Sequence, residues 1–262
     1  EWTRYENVRD NPNAIRGIGT GWMDVDDWTM GAGPGELWIF TGRTGMGKSI
    51  SLSSVAWNNY DEGRDVVIAT REMPKEQVLR RIASRQTMIE YQKFRSGSLS
   101  RDEEDVYRAA LEDRKDRPNK FWIVPQSRCI DTVSIDVELR KICEECKPAL
   151  VIVDYLNIIK PTGISPNAPR DAVQGQIALE LRDIAIAYSM PVITATQDNR
   201  TVGGDDIAEK GTEGMAMSDE IGRHADAIFR LYRTPINKAN NQITLRIIKG
   251  RDFDQRSFEL DA

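Results

Sequence analysis

A single histidine, His224, and three cysteines, Cys129, Cys143 and Cys146, leave too few ligands for a zinc site of the usual kind and too few thiols for a disulfide framework. Cys143 and Cys146, in "CEEC", have the spacing of half a zinc site. Cys129 stands apart, however, and His224 is far off in sequence, so the pair reads as two thiols one turn apart on a helix. An odd cysteine count also fits a reducing compartment. No apolar run approaches the roughly 18 residues that a bilayer-spanning helix needs. The start, "EWTRYENVRD", has neither the apolar stretch of a signal peptide nor the basic bias of a transit peptide. These absences read as a cytoplasmic protein without membrane contact. A basic excess is missing too: 36 Lys and Arg against 41 Asp and Glu give a net charge of −5. Such a surface does not coat nucleic acid, so any contact of that kind must be local.

What is present is the composition of a globular protein. With 40% hydrophobic and 29% charged residues over 262 positions, one large domain with a substantial core is expected. The first residue is Glu rather than Met, which reads as a piece of something longer with a domain upstream. Residues 1–14 read as a linker and 15–262 as the domain.

Apolar runs at 37–42, 66–71, 121–125, 150–156 and 191–197 alternate with longer amphipathic segments at 48–63, 74–90, 100–116, 132–146 and 171–189. Strands alternating with helices imply an α/β fold with a mainly parallel twisted sheet. After Gln197 the pattern changes. Runs at 227–233, 243–250 and 257–262 are separated by turn-rich pieces such as "TPINKANNQ", with no room for crossover helices, which predicts antiparallel strands extending one edge. The loops 160–170 and 198–214 both follow the carboxyl end of a strand, where open α/β sheets bind ligands.

"GRTGMGKS", residues 42–49, matches G-x-x-x-x-G-K-[ST] between a strand and a helix. In such a loop the backbone N–H groups of Gly42, Arg43, Thr44, Gly45, Met46, Gly47, Lys48, Ser49 and Ile50 face phosphate oxygens. Lys48 reaches the β and γ phosphates, and Ser49 can ligate Mg²⁺. A second metal-site carboxylate should end a neighbouring apolar strand, and "LVIVDYLNII" supplies Asp154. The run "VVIATRE" ends in Glu72, a carboxylate expected at the tip of a strand adjacent to the P-loop strand, where a general base for the attacking water belongs. Gln197 ends the strand "PVITATQ", where a neutral amide can sense a γ-phosphate. Lys249 and Arg251, in "KGR", flank a glycine as either a surface hairpin or an arginine finger with a supporting lysine.

Together these segments resemble the ATPase domain of DnaB-type hexameric replicative helicases, on a RecA-like P-loop core. "GIGTGWMDVDDWTMGAGPGELWIFTGRTGMGKS" is similar to the family's leading segment and Walker A. "TREMPKEQVLRRIAS" resembles the motif whose Glu is the catalytic base, which implies that role for Glu72. "LVIVDYLNII" resembles the Walker B, implying metal coordination by Asp154. "PVITATQDNR" resembles the Q-x-N-R segment, with Gln197 as the coupling glutamine. "IIKGRD" resembles the K-x-R, with Arg251 as a finger in trans and Lys249 assisting. The resemblance covers residues 15–262 and implies ATP or another NTP as substrate, Mg²⁺, and single-stranded DNA at a replication fork. It also implies a homo-oligomeric, hexameric ring moving 5′ to 3′, with a primase or collar domain upstream. One departure stands out: the family's DNA-contacting segment contains an R-E-S-G-like run, whereas this chain has "GTEGMAMSDEIGRHADAI". In its place Arg200 and Lys210 are the candidates for strand-phosphate contacts. A RecA/RadA-type recombinase or related filament ATPase shares the core, and a nucleotide-gated assembly module is a non-enzymatic alternative. Glu72-Met73-Pro74 and "DYLN" favour the helicase.

Overall fold

The computed structural model describes residues 17–165, 168–198 and 219–261, together with residues 2, 6, 9 and 10. The strands are β1 (Leu37–Gly42), β2 (Val66–Thr70), β3 (Phe121–Val124), β4 (Leu150–Asp154), β5 (Val192–Gln197), β6 (Ala227–Tyr232), β7 (Gln242–Gly250) and β8 (Ser257–Asp261). The helices are α1 (Met23–Thr29), α2 (Lys48–Asp61), α3 (Lys75–Thr87), α4 (Tyr91–Ser96), α5 (Arg101–Asp116), α6 (Thr132–Glu145), α7 (Arg170–Tyr188), α8 (Asp219–His224) and α9 (Pro235–Ala239). No helix among the described residues is long and apolar enough to cross a membrane.

All eight strands form one sheet in the order β3-β2-β4-β5-β1-β6-β7-β8. Its interior strands carry mainly apolar side chains on both faces, so they read as near-continuous hydrophobic runs. Alternate residues feed two cores. Trp38 and Phe40 of β1 pack with Leu52 and Val55 of α2, Val78 and Ile82 of α3, and Phe229 of β6. Leu37 and Ile39 pack with Ile135 and Leu139 of α6 and with Ile177 and Leu181 of α7. Local signals start the helices. A capping box joins Ser100 and Glu103 at α5, and another joins Asp131 and Ser134 at α6.

The α/β fold with a mainly parallel sheet and antiparallel C-terminal strands is as expected, with corrections at three places. The first concerns β6, which pairs parallel with β1; the antiparallel pairs are β6–β7 and β7–β8. The second is "TPINKANNQ", which is not all turn: Thr234 caps α9 through a reciprocal bond pair with Asn237. The third is the segment 74–90, where the helix stops at Thr87 because Met88 takes a left-handed conformation (φ 57°). Strand order supplies a further correction. The strand before Glu72 is not adjacent to the P-loop strand, since β4 and β5 lie between β2 and β1, and β5 separates Asp154's strand from β1.

Candidate functional site

β1 ends at Gly42, and the chain turns through Arg43, Thr44, Gly45 and Met46 into α2, whose N-cap is Gly47. Gly47 has φ 82°, a left-handed conformation that a side chain would strain. At Gly42 a Cβ would lie 2.6 Å from the Leu231 carbonyl oxygen, so the close approach of β6 requires glycine there. Lys48 Nζ folds back on the loop, donating to the carbonyls of Gly42 at 2.7 Å and Arg43 at 2.9 Å. Burial lowers the Lys48 pKa, while the carboxylates of Asp198, Glu72 and Asp154 act to restore it. Ile50, in the first turn of α2, is exposed.

Although β2 and β4 are not neighbours of β1, α2 brings its first turn over their carboxyl ends. Ser49 Oγ stands 3.1 Å from Glu72 Oε2 and 3.2 Å from Asp154 Oδ1, and its hydroxyl can donate to either. Glu72 is exposed, whereas Asp154 is 2% exposed. Burial, and then the neighbouring Glu72 carboxylate, push the Asp154 pKa up to about 6, against the Ser49 hydroxyl and the Arg81 and Lys48 cations. Asp154 Oδ2 is buried and accepts no hydrogen bond from the described residues. A hydroxyl and two carboxylates are the hard oxygen donors that Mg²⁺ takes alongside substrate phosphates, so the residues fit that ion. Bound there with a nucleotide, Mg²⁺ would offset charge on the β and γ phosphates. Ser49 and Asp154 would hold it, with Glu72 at the solvent side.

Gln197 reaches the loop from β5, its Nε2 donating to Thr44 Oγ1 at 2.6 Å. Lys249 and Arg251 lie elsewhere. Lys249 Nζ donates to the carbonyls of Gly222 and Ala225, each at 2.5 Å, and Arg251 Nη1 lies 2.7 Å from Asp226 Oδ1. Asp226 in turn accepts from the Leu37 N–H, so these cations stand at the start of β1. The P-loop follows its end, and the six residues of β1 span about 20 Å at roughly 3.3 Å each. Burial and the nearby Arg251 lower the Lys249 pKa. Arg200 and Lys210 lie outside the described residues.

Several contributors escaped the sequence reading. Arg81 of α3 faces Asp154, Asn157 Oδ1 accepts from Thr196 Oγ1 and the Gln197 N–H, and Asp226 holds Arg251. The one visible signal was a polar residue beside a strand end, as in "DYLN" and "ADAIF".

Comparison with known proteins bears on this geometry. The profile of the DnaB-like helicase C-terminal domain family matches residues 17–261. The chain belongs to this family. It is 28% identical to the replicative DNA helicase DnaB of Buchnera aphidicola subsp. Schizaphis graminum over 91% of the chain and 51% of that protein. It is 26% identical to the Helicobacter pylori DnaB (strain ATCC 700392 / 26695) over 87% of the chain and 46% of that protein. It therefore spans about half the length of the curated relatives it matches. Among solved structures, a DnaB-like replicative helicase studied with its primase interactions superposes with a TM-score of 0.87 at 22% identity, covering 99% of this chain and 62% of that one. A solved ATPase domain gives 0.86 at 21% identity, covering 98% and 92%. At that identity the structural likeness establishes the fold, a RecA-like α/β core shared with DnaB ATPase domains.

Proposed function

We propose that this DnaB-like domain is the motor of a replicative DNA helicase, hydrolysing ATP or another NTP with Mg²⁺ at the interfaces of a hexameric ring. It moves 5′ to 3′ on single-stranded DNA and separates the duplex at a replication fork in the cytoplasm. Residues 1–14 link residues 15–262 to an upstream primase or collar domain. Lys48 orients the β and γ phosphates, Ser49 and Asp154 hold the metal, Glu72 is the base, and Gln197 couples the γ-phosphate to DNA, with Arg200 and Lys210 contacting strand phosphates. The observation that carries the reading is the separation along β1. Ser49, Glu72 and Asp154 converge beyond its carboxyl end, while Lys249 and Arg251 sit at its start. Such a finger is too far from its own P-loop and suits the nucleotide of a neighbouring copy.

A forked duplex with a 5′ tail, one with a 3′ tail, and a strand-exchange substrate test this together. Hydrolysis stimulated by single-stranded DNA and unwinding of the 5′-tailed fork are expected. Strand exchange without unwinding would assign the chain to the recombinase class instead.

A further inference from the structure

Asp198 follows Gln197 directly and is 9% exposed. Its N–H donates to the Gly42 carbonyl at 3.2 Å, its Oδ1 accepts the Thr41 hydroxyl proton at 2.5 Å, and its Oδ2 lies 3.4 Å from Arg230 Nε. Arg230 is 1% exposed on β6, in parallel register with Thr41 of β1. One buried ion pair with one hydroxyl thus joins the carboxyl ends of β5, β1 and β6, directly beneath the P-loop.

Stability alone does not account for charges there. The neighbouring strand positions Phe40, Ala195 and Phe229 are apolar and buried, and an apolar pair of matching volume commonly serves a core at least as well as an ion pair. Arg230 also stands in register with a like charge, Arg246 of β7, and burial lowers its pKa while Asp198 opposes that. What an ion pair supplies and an apolar contact does not is direction. Apolar side chains slide past one another at little cost, whereas buried charges resist separation because the surroundings screen them poorly. The position matters because Gln197 meets Thr44 only if the end of β5 is held in register with the end of β1.

We propose that Asp198 and Arg230 are positioning residues that clamp the end of β5 to β1 and β6, and thereby hold Gln197 against the P-loop. The pair acts through Gln197 and touches no substrate. This inference rests on the helicase reading above, in which Gln197 couples nucleotide to DNA.

The test compares four proteins: the unaltered chain, Gln197→Ala, the double variant Asp198→Leu with Arg230→Met, and the triple variant. The readouts are DNA-stimulated kcat and KM for ATP, with melting temperature as the check on folding. The double variant should melt within several degrees of the unaltered chain, because an apolar pair replaces a buried ion pair while the buried Thr41 hydroxyl loses its acceptor. Its DNA-stimulated kcat should fall about tenfold or more with KM changed less than about threefold. The triple variant should match Gln197→Ala, since residues that act through one group do not add. A double variant with the original kcat, or a triple variant that falls multiplicatively below Gln197→Ala, would overturn the clamp. If the double variant does not fold, Thr41→Val carries the test, as it removes the 2.5 Å bond and keeps both charges. There too a lowered kcat at constant KM is expected, and an unchanged kcat refutes the clamp. Absence of DNA stimulation in the unaltered chain would instead count against the helicase reading itself, with this inference falling alongside it.

Discussion

Glu72 is solvent-exposed and makes no ion pair with Arg71 or Lys75 among the described residues, yet it stands 3.1 Å from Ser49 Oγ and beside the buried Asp154. A carboxylate with only a surface role would gain nothing from facing another carboxylate across a hydroxyl. Near a metal and a water the same placement suits proton transfer. Glu72→Gln keeps the size and the hydrogen-bonding shape but cannot take the proton. Turnover should fall about 10²–10⁴-fold with nucleotide affinity nearly unchanged. Single-turnover hydrolysis beside equilibrium binding of a fluorescent nucleotide separates these effects, and a matching loss of binding would make Glu72 structural. At this scale the positions were legible where a motif or a strand end marked them, Lys48 by the spacing of its glycine-rich motif and Asp154 and Gln197 by the ends of β4 and β5. The sequence was silent on Asp198 and Arg230, because a pair 32 positions apart becomes visible only when β5 and β6 flank β1.

The interior strands were legible as elements because burial on both faces leaves mostly apolar residues between their ends, as in Leu150–Val153. Their order was not, because a crossover helix fixes handedness and not which neighbour a strand joins; hence β2 was expected beside β1 and lies beyond β5 and β4. Short helices held by tertiary bonds escaped as well. In α1 the buried Asp26 accepts from the Thr20 N–H at 2.6 Å, the Thr20 hydroxyl at 2.7 Å and the Gly21 N–H at 2.7 Å, closing residues 20–21 over the helix. No hydrophobic period announces that arrangement. Burial is the leading influence on the Asp26 pKa and raises it, the three bonds opposing. Asp26→Ala would strand both donors of the fully buried Thr20, at a cost of about 2–4 kcal/mol. Melting should then drop by roughly 4–16 °C for a domain of this size. The exposed Asp24 on the same helix is the control, and Asp24→Ala should stay within about 0.5 kcal/mol. Equal shifts for the two variants would mean that the Asp26 bonds do not hold α1 in place.

Across the whole molecule the cations of "KGR" and the P-loop occupy opposite ends of one strand, so under the proposed function each copy would carry two half-sites that face apart. In the proposed ring, head-to-tail association of identical copies would bring the start of β1 in one to the end of β1 in the next, a contact that closes when the rotation between copies is a whole fraction of a turn. A net charge of −5 suits a particle of that kind, in which DNA contacts would be confined to a small lumen. In such a ring a subunit with Arg251→Ala keeps a working P-loop and lacks the finger that it lends its neighbour; a subunit with Lys48→Ala is the converse. Each variant alone should hydrolyse poorly, because a finger contributes about 10³–10⁵ in rate and the P-loop lysine orients the phosphates. Mixed at equal ratio with free exchange, about a quarter of the interfaces would pair an intact P-loop with an intact finger. ATPase activity should therefore reappear at a fraction of the unaltered level. Unwinding should recover less, since a motor that fires around the ring stalls at dead interfaces. Subunit exchange is followed by energy transfer between labelled copies, so absence of rescue can be read only against proven mixing. With mixing proven, a flat ATPase signal means that Arg251 serves its own subunit or none, and the ring loses the contact that makes its sites depend on one another.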